Sequence, residues 1–236
     1  AVDRIKPGLP VFHNSGHIRR GRRDLADVDS HLELESLPTG GWGYDHFPLS
    51  AAYSRTLGKN FLGMTGKFHT TWGEFGGYKH PNALRYEEAL CVANGAKCSI
   101  GDQMHPDGHM DEVTYDLIGA AYSEVEEREE WLDGVTSVAD IAVLSEEAAA
   151  NYCEQNHLPH SGDNGSDAGA VRMLLEGKFL FDVIDTDSLF SGECEKYKLL
   201  ILPDSVRFDE SLEKAVKKFV SCGGRVLATG ESAVGY

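Results

Sequence analysis

Two kinds of hydrophobic patterning divide the chain. Up to about residue 135, short apolar runs alternate with amphipathic stretches, and each run ends in a cluster of reactive side chains. FLGMTG (Phe61–Gly66) is followed by Lys67, His69, Trp72 and Glu74, and CSIG (Cys98–Gly101) by Asp102, Gln103, His105 and Asp107. The pattern predicts strands at Leu9–His13, His31–Glu35, Phe61–Phe68 and Lys97–Gly101. It predicts helices at Leu49–Leu57, Asn82–Asn94 and Asp111–Leu132, the last with Tyr115, Ile118, Tyr122 and Val125 at helical spacing. Strands alternating with helices imply a parallel sheet, and polar clusters at C-terminal strand ends are the layout of a β/α barrel. Four such units make half of an eight-stranded barrel. A half barrel has two raw sheet edges, so the other half is expected in a stretch preceding Ala1.

From about Asp140 the pattern changes. DIAVLS, FDVIDTD, YKLLILPD and RVLATGES read as short buried strands. Between them, SDAGAVRMLLEGKF predicts a helix with Ser166 as N-cap and Val171, Leu174 and Leu175 on one face. ESLEKAVKKFV predicts another helix, closed by Gly223-Gly224. This is a second, doubly wound α/β unit. The boundary falls at the polar turn Asp133–Ser137, giving domains at 1–135 and 138–236.

Charge and composition narrow the function. The formal net charge of −16 disfavours nucleic acid and anionic membrane as partners and suits a neutral substrate such as a carbohydrate. Five scattered cysteines form no CxxC pair, which argues against a disulfide scaffold or a cysteine zinc site and predicts a reducing, cytoplasmic compartment. The chain is expected to be a piece of a longer polypeptide, so that any signal peptide would lie ahead of Ala1. No apolar run approaches the ~20 residues of a membrane span. There is no GxGxxG opening a helix and no GKS or GKT, so no nucleotide cofactor, and no other cofactor, is expected.

The candidate chemistry sits in four places. In HLELES, strand alternation turns Leu32 and Leu34 toward helices and His31, Glu33 and Glu35 into the barrel. Inward carboxylates are costly unless paired or solvated. Glu33 and Glu35 are either buried ionic partners of an Arg or Lys from the other half or functional groups; the first reading is favoured for Glu33, one layer deeper, and an acid–base or electrostatic role for Glu35, at the mouth. In PTGGWGYDHFP, Trp42, Tyr44 and Phe47 offer flat faces for a sugar ring, and Asp45 and His46 offer hydroxyl partners; a packed surface loop is the plainer alternative. In KFHTTWGEFGGY, Lys67 and His69 share the parity of the inward face. Trp72 and Glu74 lie beyond, Glu74 being an acid, base or nucleophile, or else a supporting carboxylate. Asp102 ends the last strand, and QMHPDGH forms a rim loop. There His105, Asp107 and His109 hint at a metal, but a flexible loop without a helical HxxxH pair predicts none. HNSGH (His13–His17) is a similar, weaker hint. The catalytic candidates are therefore Glu35, Glu74 and Asp102, with Trp42, Asp45, His46, His69, Trp72 and His105 as substrate-binding candidates.

These motifs carry a resemblance. HLELESLPTGGWGYDHFP, FLGMTGKFHTTWGEFGGYKHP and CSIGDQMHPDG resemble the second half of the catalytic barrel in bacterial glycoside hydrolases of α-L-fucosidase family 151, related to the family 42 β-galactosidases. GSDAGAVRMLLEGKFLFDVID, YKLLILPD and GGRVLATGES resemble their trimerisation domain, a flavodoxin-like or glutamine-amidotransferase-like α/β fold. The resemblance implies the C-terminal half of a (β/α)8 TIM barrel followed by that domain. It also implies a retaining exo-glycosidase acting on terminal fucosyl or galactosyl residues, assembled as a homo-oligomer. One key carboxylate of such barrels sits on the fourth strand, outside this chain, so the fragment alone is expected to be inactive. The rival reading is a degenerate barrel that only binds carbohydrate or scaffolds an oligomer. The polar linker His157–Asp167 is either a solvated loop or reaches a neighbouring subunit's site through His157 or His160.

Overall fold

A computed structural model of the chain describes residues 2–14, 16–159 and 165–233. Residues 160–164 of the polar linker, and with them the part of the expectation placed on His160, lie outside the described residues. Two compact units are present: one made of Ala1–Ile18 and Ala26–Thr136, the other of Arg19–Leu25 and Ser137–Tyr236. No helix is long and apolar enough to cross a membrane.

In chain order the first elements are two short helices, α1 (Val2–Ile5) and α2 (Arg23–Asp27). Then come β1 (Leu32–Glu35), α3 (His46–Ser54), β2 (Phe61–Gly66), α4 (Pro81–Ala93), β3 (Lys97–Gly101) and α5 (Glu112–Glu126). The strands form a parallel sheet in the order β1-β2-β3. It has three strands, because the fourth one expected, Leu9–His13, is not formed. Pro10 has no N–H to give to a ladder, and the run is tied without one: the Val11 N–H donates to Ser30 Oγ at 2.8 Å, the Val11 carbonyl accepts from Ser30, and His13 Nδ1 lies 2.5 Å from Asp29 Oδ1. The long helix expected to reach Leu132 stops at Glu126, and Glu129–Trp131 forms a separate 3₁₀ turn.

Helix starts follow the local chemistry. Pro81 occupies the first turn of α4, where its missing N–H costs nothing, and Asp111 caps α5 by accepting from the Val113 N–H at 3.1 Å. Burial alternates along β1 and β2: Leu32 and Leu34 are fully buried, whereas Glu33 and Glu35 are half-buried. The register pairs Leu32 with Phe61 and Leu34 with Gly63, so these residues share the helix-side face. Gly63 explains the close fit there. A Cβ at that position would lie 2.4 Å from a ring carbon of Phe47 in α3 and 2.6 Å from Cys91 Sγ in α4.

The second unit contains β4 (Ile141–Leu144), α6 (Glu146–Gln155), α7 (Gly165–Glu176), β5 (Phe181–Ile184), α8 (Thr186–Ser191), β6 (Leu199–Leu202), α9 (Glu210–Ser221) and β7 (Arg225–Ala228). All four strands are parallel, in the order β5-β4-β6-β7. The central strands β4 and β6 are buried on both faces and read in sequence as unbroken apolar runs. Leu144, Ile184, Leu200 and Leu202 pack with Leu212, Val216 and Phe219 of α9. Helix α7 begins at Gly165, not after Ser166, whose hydroxyl instead donates to Glu146. The segment Arg19–Leu25 completes this unit. Buried Arg20 lies 2.7 Å from Glu147 Oε2 and donates to Ser145 Oγ at 3.0 Å, and Arg23 clamps Asp185 through two bonds of 2.8 and 2.9 Å.

Candidate functional site

The C-terminal ends of β1, β2 and β3 carry three loops, and the first unit's chemistry is gathered there. The sheet face opposite the helices presents Glu33, Leu62 and Lys97 in one row and Glu35, Met64 and Ser99 in the next, by the strand register. The last row is Gly66 beside Gly101. Here the expected parity of Lys67 fails. Phe61, Gly63 and Thr65 are on the helix side, and the strand ends at Gly66 before Lys67 can inherit a face.

Lys67 is nevertheless central. Its ammonium is buried, donates to the Phe75 carbonyl at 2.9 Å, lies 4.6 Å from the Tyr78 ring centroid and 4.0 Å from Asp102 Oδ1. The Lys67 carbonyl accepts from the Lys79 N–H at 2.8 Å, which closes the neck of the loop between them. Behind the neck, the buried Lys79 Nζ donates to Thr65 Oγ1 at 2.7 Å and Glu87 Oε2 at 2.5 Å. A buried charge with this set of partners is satisfied, and it fixes where the loop leaves the sheet.

Asp102 is held from two sides, by the Gln103 N–H at 2.7 Å and by Lys67. With Lys67, Tyr78, Gln103, His105 and His109 it lines a cavity of about 660 Å³. Glu35 stands on the open face in the β1–β2–β3 row, and among the described residues no hydrogen bond reaches its carboxylate. Within this chain Glu33 is paired with His31 Nε2 at 3.0 Å; the Arg or Lys expected from the other barrel half belongs to sequence beyond these residues.

Glu74 is turned into its own loop. Its Oε2 accepts from the Thr70 N–H at 3.0 Å and the Thr70 hydroxyl at 3.2 Å, and the Thr70 N–H above all holds its carboxyl below the usual range. That geometry is of a carboxylate organising a turn. His69 is exposed one residue before Thr70.

The aromatic candidates separate. Trp72 is 39% exposed and lies over the last sheet row, since a Cβ on Gly66 or Gly101 would fall 3.4 or 3.2 Å from its ring. Trp42 is 42% exposed and meets His46 edge-on at 5.0 Å, and His46 Nδ1 is 3.2 Å from Ser36 Oγ just beyond β1. Asp45 precedes α3 without capping it through its side chain. Phe47, expected as a stacking face, is buried in the core against the Gly63 backbone. Tyr44 leans on α4, with its hydroxyl donating to Glu87 at 3.3 Å.

Thus Lys67, Asp102 and His105 share one cavity, Glu35 holds the open sheet face, and Trp42 with His46 marks the end of β1. The geometry adds Tyr78, which no sequence pattern singled out. Its hydroxyl donates to Asp111 at 2.8 Å, and only loop closure brings its ring to Lys67.

Neither the family models nor the curated proteins contain a match to this chain. Solved structures do. An α-L-fucosidase, isoenzyme 2 from Paenibacillus thiaminolyticus, is 58% identical with a TM-score of 0.90, over 99% of this chain and 34% of that one. A β-galactosidase from Bacillus circulans sp. alkalophilus shares the fold at 17% identity and a TM-score of 0.75, over 99% of this chain and 37% of that one. A polyextremophilic β-galactosidase from the Antarctic haloarchaeon Halorubrum lacusprofundi shares it at 17% identity and a TM-score of 0.62, over 87% and 35%. The chain spans about a third of the length of each. It is thus similar, over nearly its whole length, to a fragment of a glycoside hydrolase of the α-L-fucosidase and β-galactosidase families, the resemblance its motifs carry.

Proposed function

We propose that this chain supplies half of the active site of an exo-acting, retaining glycosidase that removes terminal fucosyl residues, with galactosyl residues as the alternative. The observation that carries the reading is the gathering of Glu35, Asp102, Lys67, Trp42 and Trp72 at one end of a parallel sheet, in a chain 58% identical to an α-L-fucosidase. Carboxylates beside exposed indole faces suit a sugar: the rings stack on its apolar face, and the carboxylates handle protons or developing positive charge.

In this reading residues 1–135 are the C-terminal half of a (β/α)8 TIM barrel, and its three parallel strands with intervening helices fit that layout. Residues 138–236 are a flavodoxin-like trimerisation domain. The strand order β5-β4-β6-β7 supports this, since it is the second-first-third-fourth order of flavodoxin-type sheets. Glu35 and Asp102 are the leading catalytic candidates. Glu74 ranks lower, because its turn already uses its carboxylate. Trp42, Asp45, His46, His69, Trp72 and His105 would line the sugar subsite. The second carboxylate of the pair would come from sequence beyond this chain. The full-length protein should release nitrophenol from nitrophenyl α-L-fucoside, or failing that from β-galactoside. Turnover of neither, by a folded oligomer, would reject the reading. A monomer by light scattering would reject the assembly part of it.

A further inference from the structure

The rim loop after β3 holds a cluster of which the glycosidase reading uses His105 alone, in the sugar subsite. His105 Nδ1 lies 2.6 Å from Asp107 Oδ1, and His109 Nδ1 contacts the same oxygen. The two imidazoles stack with centroids 4.3 Å apart and planes 29° apart. One atom from each of the three residues falls within 4.8 Å of the others. We propose that His105, Asp107 and His109 bind a divalent transition-metal ion of borderline hardness, with zinc the representative case.

The backbone explains how a loop reaches this geometry without a helix. Gly108 adopts φ +82, and its N–H donates to the His105 carbonyl at 2.8 Å, closing a tight turn. The His109 N–H donates to Asp107 Oδ1 at 3.2 Å, so the carboxylate anchors the returning strand of the turn. The turn brings together two histidines that helical spacing would otherwise have to bring together.

The donor set selects the ion. Two imidazole nitrogens and one carboxylate oxygen suit zinc, nickel or copper, whereas calcium and magnesium require mainly oxygen ligands. Tetrahedral bonds of ~2.0–2.1 Å would separate the ligand atoms by roughly 3.4 Å. The present spacing therefore needs only a small withdrawal of Asp107 to admit an ion. All three side chains are exposed, which leaves a coordination position open to water. An ion here would fix the rim of the cavity that also contains Lys67 and Asp102.

The test needs no turnover and so is independent of the glycosidase reading. The chain, stripped with a chelator, is titrated with zinc by calorimetry and with cobalt(II) by visible absorption. One equivalent per chain at micromolar affinity is expected, with cobalt bands of low-symmetry coordination. His105→Ala and His109→Ala should each weaken binding by at least ~10-fold, while His80→Ala, outside the loop, should leave it unchanged. Circular dichroism confirms that the variants fold. No zinc binding in the micromolar range, or binding retained by the double variant, would overturn the proposal.

Discussion

The two parallel sheets of this chain are built from similar strands and serve different ends. In β4, β5 and β6 nearly every residue is buried, and the one polar residue, Asp182, is partnered: it accepts from Ser137 at 2.9 Å and from Tyr197 at 2.8 Å. In β1 and β2 one face is buried under helices and the other stays half-open, with Glu33 and Glu35 on it. A sheet covered on both sides reports packing. In the proposed barrel that second face turns to the interior, and ligand chemistry belongs to the C-terminal strand ends, where Glu35 closes β1, Asp102 follows β3, and Trp42 and Trp72 lie in the loops after β1 and β2.

The comparison is most exposed at Glu35. If the open face is for chemistry, Glu35→Gln in the full-length protein should lower turnover by about 10²–10⁴-fold with an unchanged unfolding midpoint. Turnover close to normal would move the role to Asp102 or Glu74. The opposite outcome is expected in the covered sheet. Leu200 is fully buried, and Leu200→Ala should cost about 2–5 kcal/mol in denaturant unfolding of the second unit. A loss below ~1 kcal/mol would show that this sheet is not the tight core described.

A third test lies behind the first sheet, where Glu88 is fully buried in α4 beside the Cys98 thiol. Burial pushes its carboxyl up to about 7. The folded state then holds a proton that the unfolded state, with an ordinary value near 4.5, releases first. Stability from this group is full at acid pH and is lost as pH rises through about 7, a change of a few kcal/mol at most. Glu88→Gln should remove that decline and stabilise the first unit at pH 8. A parallel pH profile in both proteins would sink the assignment. The smallest effect is expected at Trp72. Trp72→Ala should raise KM for the glycoside by roughly tenfold through loss of about 1–2 kcal/mol of ring contact, with kcat less affected.

Much of the fold was legible in the sequence where patterns are local. The runs HLELES, FLGMTG and KCSIG showed the strands of the first unit, and the alternation in LELE put Leu32 and Leu34 on the helix side. Leu9–His13 misled because its apolar content resembles a strand while Pro10 breaks the ladder. Helix α6 went unread because Glu146 and Glu147 look like a solvated face. Both are buried, with Glu147 paired to Arg20 and Glu146 accepting from Ser166 and Ser205. The partners lie far apart in the chain, and no periodicity encodes them.

By itself the sequence determined that this chain is α/β, where most strands run, and which reactive side chains follow them, because these depend on period-two and period-3.6 patterning over a few residues. Only the tertiary structure decided which side chains meet. It set Lys67 beside Asp102 and under Tyr78, sent Phe47 into the core, engaged Glu74 in its own turn and recruited Arg20 to the second unit. Each of these contacts joins residues through loop closure and burial, and the free energy that fixes them arises from packing and desolvation among distant segments, which a linear pattern does not carry.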